Sequence, residues 1–344
     1  MMARIPISVI TGFLGSGKTT LLNGLLRDGN AAGTVVVVNE FGEIGLDHHL
    51  IESSSDQIIL LTNGCLCCSV KGDLVNTLRD LIYRRGLGSM PKFDRVVIET
   101  TGLADPCSVI GLILTDPVIN SQYSLGGIIA TVDAINGLAT LENHPESARQ
   151  AAMADRLVLT KTDLLGDRAS IDQLTAQLRA INPAALVLEA AEGLRANSLL
   201  ASCIELPDYE FETTLRWRQI NSDHAQPHGA DIKSFCIVRP EPIPHEVLHL
   251  ILRALTDNLG PRLLRIKGLL NIAESPLRPA VLQGAQTVLH ELSWLDGWPT
   301  EDHRSRMVFI TDGVGKQVVD DVIEVIDRFA AKTQRHRAGV LACA

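Results

Sequence analysis

The chain has 344 residues, enough for two cores, and its 46% hydrophobic and 21% charged residues are those of an ordered globular protein, which excludes a disordered one. A formal net charge of −9 with no basic patch argues against binding of nucleic acid through its phosphate backbone. No apolar stretch approaches the roughly 18 residues that span a bilayer, and the opening MMAR followed by IPISVIT lacks the pattern of a secretory signal, so a cytoplasmic protein with no membrane partner is expected.

The first predicted strand, IPISVIT, runs into GFLGSGKT. Gly12, Gly17, Lys18 and Thr19 satisfy G-x-x-x-x-G-K-[ST], with the strand before and the helix after that this motif requires. The expected nucleotide-binding run is Gly12, Phe13, Leu14, Gly15, Ser16, Gly17, Lys18, Thr19 and Thr20. Its glycines let backbone N–H groups turn onto phosphates at a helix N-terminus, Lys18 reaches the β- and γ-phosphates, and Thr19 takes Mg²⁺. A glycine-rich turn of chance composition is the bland alternative, and the strand and helix around the motif disfavour it. Apolar spacing of three and four predicts a helix over Thr19 to Arg27, followed by the strand TVVVVNE.

After the loop NEFGEIGLDHH and a short strand IILLT comes NGCLCC. Cys65, Cys67 and Cys68, three of seven cysteines, lie too close together for an ordinary disulfide framework. Three soft ligands on one loop suit Zn²⁺ first and Cu(I) second, with Glu43, His48 and His49 as candidates for a fourth. The isolated Cys107, Cys203 and Cys236 read instead as small buried fillers.

A predicted helix over Asp73 to Arg84 leads to the strand DRVVIET, which ends at Glu99 with Gly102 three residues on. In phosphate-loop proteins such a strand end holds Mg²⁺, and the glycine lets the backbone sense the γ-phosphate, so Lys18, Thr19 and Glu99 are the expected catalytic group. The strands GGIIATVDA and DRLVLTK follow, the second opening onto Thr160, Lys161, Thr162 and Asp163, which resembles the [NT]-K-x-D of GTPases with Thr160 in place of the commoner Asn. Asp163 there can accept from both N–H donors of guanine, with Lys161 beside it, so GTP and GDP are favoured; a solvated acid at a helix start is the alternative. A helix over Ser170 to Ile181 and the run ALVLEA complete seven strands of near-continuous Val, Ile and Leu. Such strands are covered on both faces, which gives an α/β, doubly wound, mostly parallel sheet over residues 1–205, with ligands at its carboxyl edge.

The alternation stops in a polar linker, 206–230. A smaller α+β domain is expected over 231–330: a strand Ile232 to Arg239, a helix after Pro244, strands near Leu263 to Ile272, Ala280 to Thr287 and Ser305 to Thr311, and a helix after Gly315. Residues 331–344 show no sustained period and read as a disordered tail. Within this part His245, Glu246 and His249 form H-E-x-x-H, the zinc-protease pattern, with Glu274 the nearby acid for a third ligand; the rival reading is a core-facing stripe of Val247, Leu248, Ile251 and Leu252 bordered by histidines.

In order, GFLGSGKTTLL, VNEFGEIGLD, NGCLCC, VVIETTGLADP and LTKTDL resemble the CobW family of metallochaperone GTPases, especially its YjiA-like members, and the resemblance continues through LLRIKGLL, VLQGAQ and RSRMVFI to about residue 315. It implies a GTPase that binds zinc or cobalt and delivers it to a client metalloprotein, with Cys67, Cys68 and Cys65 as ligands and Glu43 as carboxylate partner. Two departures are visible. Val38 stands where some members carry an acid before the Asn, and the linker has only His224 and His228 where many members have a long histidine-rich stretch. Hydrolysis is then expected to move the Glu40 to Asp47 loop and the Thr100 to Asp105 segment, between which the thiolates lie in sequence. A regulatory GTPase with a purely structural zinc, and more remotely a zinc protease, are the other readings.

Overall fold

The computed structural model describes residues 4–27, 32–39, 58–61, 69–190, 199–200, 231–289 and 291–342. The chain divides into two compact units, Met1–Thr213 with His228–Ala230 and Thr214–Pro227 with Asp231–Ala344.

The first unit holds all seven predicted strands: β1 (Ile5–Gly12), β2 (Thr34–Asn39), β3 (Ile58–Leu61), β4 (Arg95–Glu99), β5 (Tyr123–Asp133), β6 (Arg156–Thr160) and β7 (Leu186–Glu189). They form one sheet in the order β3-β2-β4-β1-β5-β6-β7, and every pairing among them is parallel. From β1 the chain travels to one side to build β2 and β3. After β4 it crosses to the other side of β1 for β5, β6 and β7. That reversal opens a crevice at the carboxyl end of β1, where sheets of this class bind ligands.

The helices described between these strands are α1 (Lys18–Arg27), α2 (Ser69–Leu87), α3 (Pro106–Thr115), α4 (Pro117–Gln122), α5 (Gly137–Asn143), α6 (Pro145–Met153) and α7 (Arg168–Ile181). Helix α1 lays Leu21, Leu22 and Leu25 against Ile10, Val36, Val97, Ile129 and Val158 of the sheet. The segment between β4 and β5 folds into α3 and α4 because each has proline in its first turn and an aspartate cap: Asp105 accepts from Cys107 N at 2.9 Å, and Asp116 from Val118 N and Ile119 N at 3.0 Å.

The second unit is an antiparallel sheet of β8 (Ile232–Arg239), β9 (Leu263–Leu270), β10 (Ala280–Ala285), β11 (Val288–Leu289), β12 (Ser293–Trp294) and β13 (Ser305–Asp312), with the path β11-β10-β9-β13-β8 and β12 paired to β10. Helices α8 (His245–Leu259) and α9 (Lys316–Ala342) cover one face, where Leu248, Ile251, Leu255, Val319 and Ile323 join Phe235, Ile266, Leu282 and Phe309 in one core. Helix α9 continues to Ala342, which differs from the disordered tail expected after residue 330. Ala, Lys, Gln, Arg and Leu are good helix formers, so the stretch can extend a helix already nucleated upstream without an apolar period of its own. Among the described residues no helix is long and apolar enough to cross a membrane.

Candidate functional site

Strand register brings the predicted residues to one edge. Glu99 pairs with Ile10, Gly12 with Thr131, and Asp133 with Thr160, so the ends of β4, β1, β5 and β6 lie side by side. Gly12 has φ 140°, and a β-carbon there would stand 2.3 Å from Thr131 Oγ1, so only glycine lets the chain leave β1 at this point. Phe13, Leu14 and Gly15 then form the turn, and α1 begins at Lys18. Lys18 Nζ lies across the loop, donating to Gly12 O at 3.0 Å and Phe13 O at 3.1 Å. Thr20 is exposed on α1.

Thr19 Oγ1 donates to Glu99 Oε1 at 2.8 Å, and Glu99 is 5% exposed. A hydroxyl and a carboxylate meeting at a buried strand end are hard oxygen donors of the kind Mg²⁺ takes, and a cation offsets the cost of burying the carboxylate. Gly102 packs against the phosphate loop closely enough that a β-carbon would lie 2.7 Å from Leu14 N. Here again the backbone approach requires glycine.

Below the loop, hydroxyls tie the strands together in a way no motif announced. Ser16 Oγ and Thr131 Oγ1 are 2.6 Å apart, Thr100 Oγ1 donates to Thr11 Oγ1 at 2.9 Å, and Thr160 Oγ1 donates to Ser16 O at 2.7 Å. Thr160, standing where Asn is commoner in the [NT]-K-x-D pattern, thus holds the backbone of the phosphate loop. Lys161 adopts φ 58° and its Nζ donates to Asp133 Oδ2 at 2.7 Å. Burial alone pushes the Asp133 carboxyl up, but Lys161, the Asn136 amide and the N–H groups of Ile135 and Asn136 outweigh it and hold the carboxyl below the usual range. Sequence reasoning missed Asp133, because an acid at the end of the apolar strand GGIIATVD carries no signal for a lysine 28 positions on. Asp163 is exposed in the first turn of a short 3₁₀ helix, Thr162–Leu164, while the cap of α7 is Asp167. A cavity of about 220 Å³ lies between loop residues 13–16 and Asp133, Asn136, Thr140 and Lys161.

Cys65, Cys67, Cys68 and Glu43 lie outside the described residues, as do His48, His49, Cys203, His224 and His228. Cys107 and Cys236 are buried, and burial pushes both thiols up, as suits fillers rather than thiolate ligands. The protease reading of HEVLH is corrected. Val247, Leu248, Ile251 and Leu252 face the core, His245 and His249 are exposed with ring centroids 4.5 Å apart, and Glu274 accepts from the His245 backbone N–H at 3.0 Å as a helix cap. Among the described residues no three His, Cys, Asp or Glu side chains gather to hold a metal.

The family model of the CobW/HypB/UreG nucleotide-binding domain matches residues 6–189, and that of the cobalamin synthesis protein cobW C-terminal domain matches 232–325. The chain belongs to the CobW family. Its relatives include the zinc chaperone YjiA of Escherichia coli, 34% identical over 311 residues that cover 90% of this chain and 94% of that one. The zinc chaperone CobW of Pseudomonas aeruginosa is 30% identical over 312 residues, 80% of each chain. The crystal structure of zinc-bound YjiA GTPase from Escherichia coli superposes with a TM-score of 0.67 at 28% identity, covering 94% of this chain and 99% of that one. In this CobW-family chain, therefore, the phosphate loop, Glu99 and Lys161 sit in a nucleotide-binding domain followed by the family's C-terminal domain.

Proposed function

We propose that this protein is a GTP-hydrolysing metallochaperone, one that binds zinc at Cys65, Cys67 and Cys68 with Glu43 and couples its nucleotide state to delivery of the metal to a client metalloprotein. The observation that carries the nucleotide half is the buried contact between Thr19 and Glu99 beneath a glycine turn spanned by Lys18. Backbone N–H groups at the start of α1 and the Lys18 ammonium bind the triphosphate, and Asp163, with Lys161 beside it, takes guanine. Thr19 and Glu99 would hold Mg²⁺, which supplies charge compensation to the phosphates when bound. Gly102, packed on the loop, gives the backbone that meets the terminal phosphate. The metal half rests on the sulfur-rich C-x-C-C run and on the relatives that are named zinc chaperones. Cobalt is the alternative cargo, on the family resemblance alone.

Titrating purified protein with zinc in GTP analogue, in GDP and without nucleotide tests the coupling, with Cys67→Ala as comparison. Zinc affinity is expected to change by at least about fivefold between the two nucleotide states, and Cys67→Ala to weaken it in all three. Tight zinc indifferent to nucleotide would support a regulatory GTPase with a structural metal instead.

A further inference from the structure

Helix α6 reaches the segment after β4 at a place the sequence motifs do not mark. Gln150 is 1% exposed, and its Nε2 donates to Gly102 O and to Ala104 O, both at 3.1 Å. These are the carbonyls of the turn that follows Glu99. Gly102 is therefore held from two directions, by the amide of Gln150 and by Leu14 of the phosphate loop, which a β-carbon at Gly102 would meet at 2.6 Å. Because a trans peptide is planar, fixing the Gly102 carbonyl also fixes where the next N–H points.

The helix that carries Gln150 is tied at both ends. Asn182 Nδ2 donates at 2.9 Å to each of Ala151 O, Ala152 O and Ala154 O and so closes the C-terminal end of α6. At the other end the His144 ring lies 4.4 Å from that of Phe13, so α6 touches the phosphate loop as well as the turn. Gln150 itself is incompletely satisfied, since its buried Oε1 accepts no hydrogen bond among the described residues. A core position that only packed would favour Leu or Met, which carry no such penalty. The two carbonyl contacts are what the amide supplies in return.

We infer that Gln150 is a positioning residue for hydrolysis: without touching nucleotide, it sets the orientation of the Gly102–Leu103 peptide toward the terminal phosphate. The inference rests on reading the phosphate loop as a GTPase site. Gln150→Met keeps the volume and removes both N–H donors. It is expected to lower kcat for GTP about tenfold or more, while KM for GTP and the affinity for GDP stay within about threefold, because Lys18, Thr19 and the loop are intact. A folded Gln150→Met with kcat within about twofold of wild type would overturn it. Should the variant not fold, the wild-type protein still decides: the Gln150 side-chain amide resonances are expected to move when GDP is exchanged for a non-hydrolysable GTP analogue, and unmoved resonances would overturn the inference. Wild-type protein that fails to hydrolyse GTP sinks the GTPase reading and this inference together; hydrolysis unaffected by Gln150→Met sinks this inference alone.

Discussion

Thr160 is the residue at which the site departs from the commoner Asn, and its geometry turns that departure into a testable role. Its hydroxyl reaches Ser16 O at 2.7 Å, while its side chain lies 3.3 Å from where a β-carbon on Gly17 would stand. The contact is buried, so losing it leaves the Ser16 carbonyl without that donor, at a cost of about 1 kcal/mol. Thr160→Val preserves shape and removes only the donor. Fold stability is expected to fall by about 1 kcal/mol, and GDP affinity measured calorimetrically by about fivefold, as the phosphate loop loses this tether. Unchanged affinity would mean that the loop holds its form without Thr160. At this scale the phosphate residues were legible in the sequence because a short motif fixes their spacing. Gln150, Asp133 and the Thr11 to Thr100 contact were not, because each acts on a partner 28 or more positions away that only the folded sheet brings near.

The elements follow the same division. Strands β1 to β7 were readable because both faces of a parallel sheet demand continuous Val, Ile and Leu, and β8, β9, β10 and β13 stood out as apolar runs between turns. Helices α3 to α6 were not predicted. They have between 6 and 10 residues; α3, α4 and α6 open on a proline, and α3 and α4 carry an aspartate cap as well. The entry to β13 shows a cap of another kind. Asp302 Oδ1 accepts from Arg304 N at 3.1 Å and Nε at 2.9 Å, and Oδ2 accepts from Arg306 Nη2 at 2.7 Å. These guanidinium contacts, Arg304 foremost, hold the Asp302 carboxyl well below the usual range. A carboxyl lowered on folding stabilises the fold above its unfolded value near 4, and that contribution is lost as pH falls toward the folded value. Asp302→Asn is therefore expected to cost about 1 kcal/mol in urea melts at pH 7, with the gap to wild type closing between about pH 5 and pH 2. A gap that persists at the acid end would show that the charge is not what Asp302 contributes.

For the whole molecule, one unit supplies a nucleotide site assembled from strand ends and the other a family C-terminal domain. Cys65, Cys67 and Cys68, the proposed zinc ligands, stand in sequence between the Glu40 to Asp47 loop and the turn after β4, the two segments expected to move on hydrolysis. Coupling of this kind is reciprocal: a nucleotide that alters zinc affinity must have its own affinity altered by the same factor. The most direct measurement is calorimetric titration of the intact chain with GDP and with a non-hydrolysable GTP analogue, in zinc-free and zinc-loaded protein, with Mg²⁺ throughout. Saturable binding of both nucleotides is expected, with zinc changing their affinity ratio by at least about fivefold. No heat from guanine nucleotides, or the same ratio with and without zinc, would contradict it.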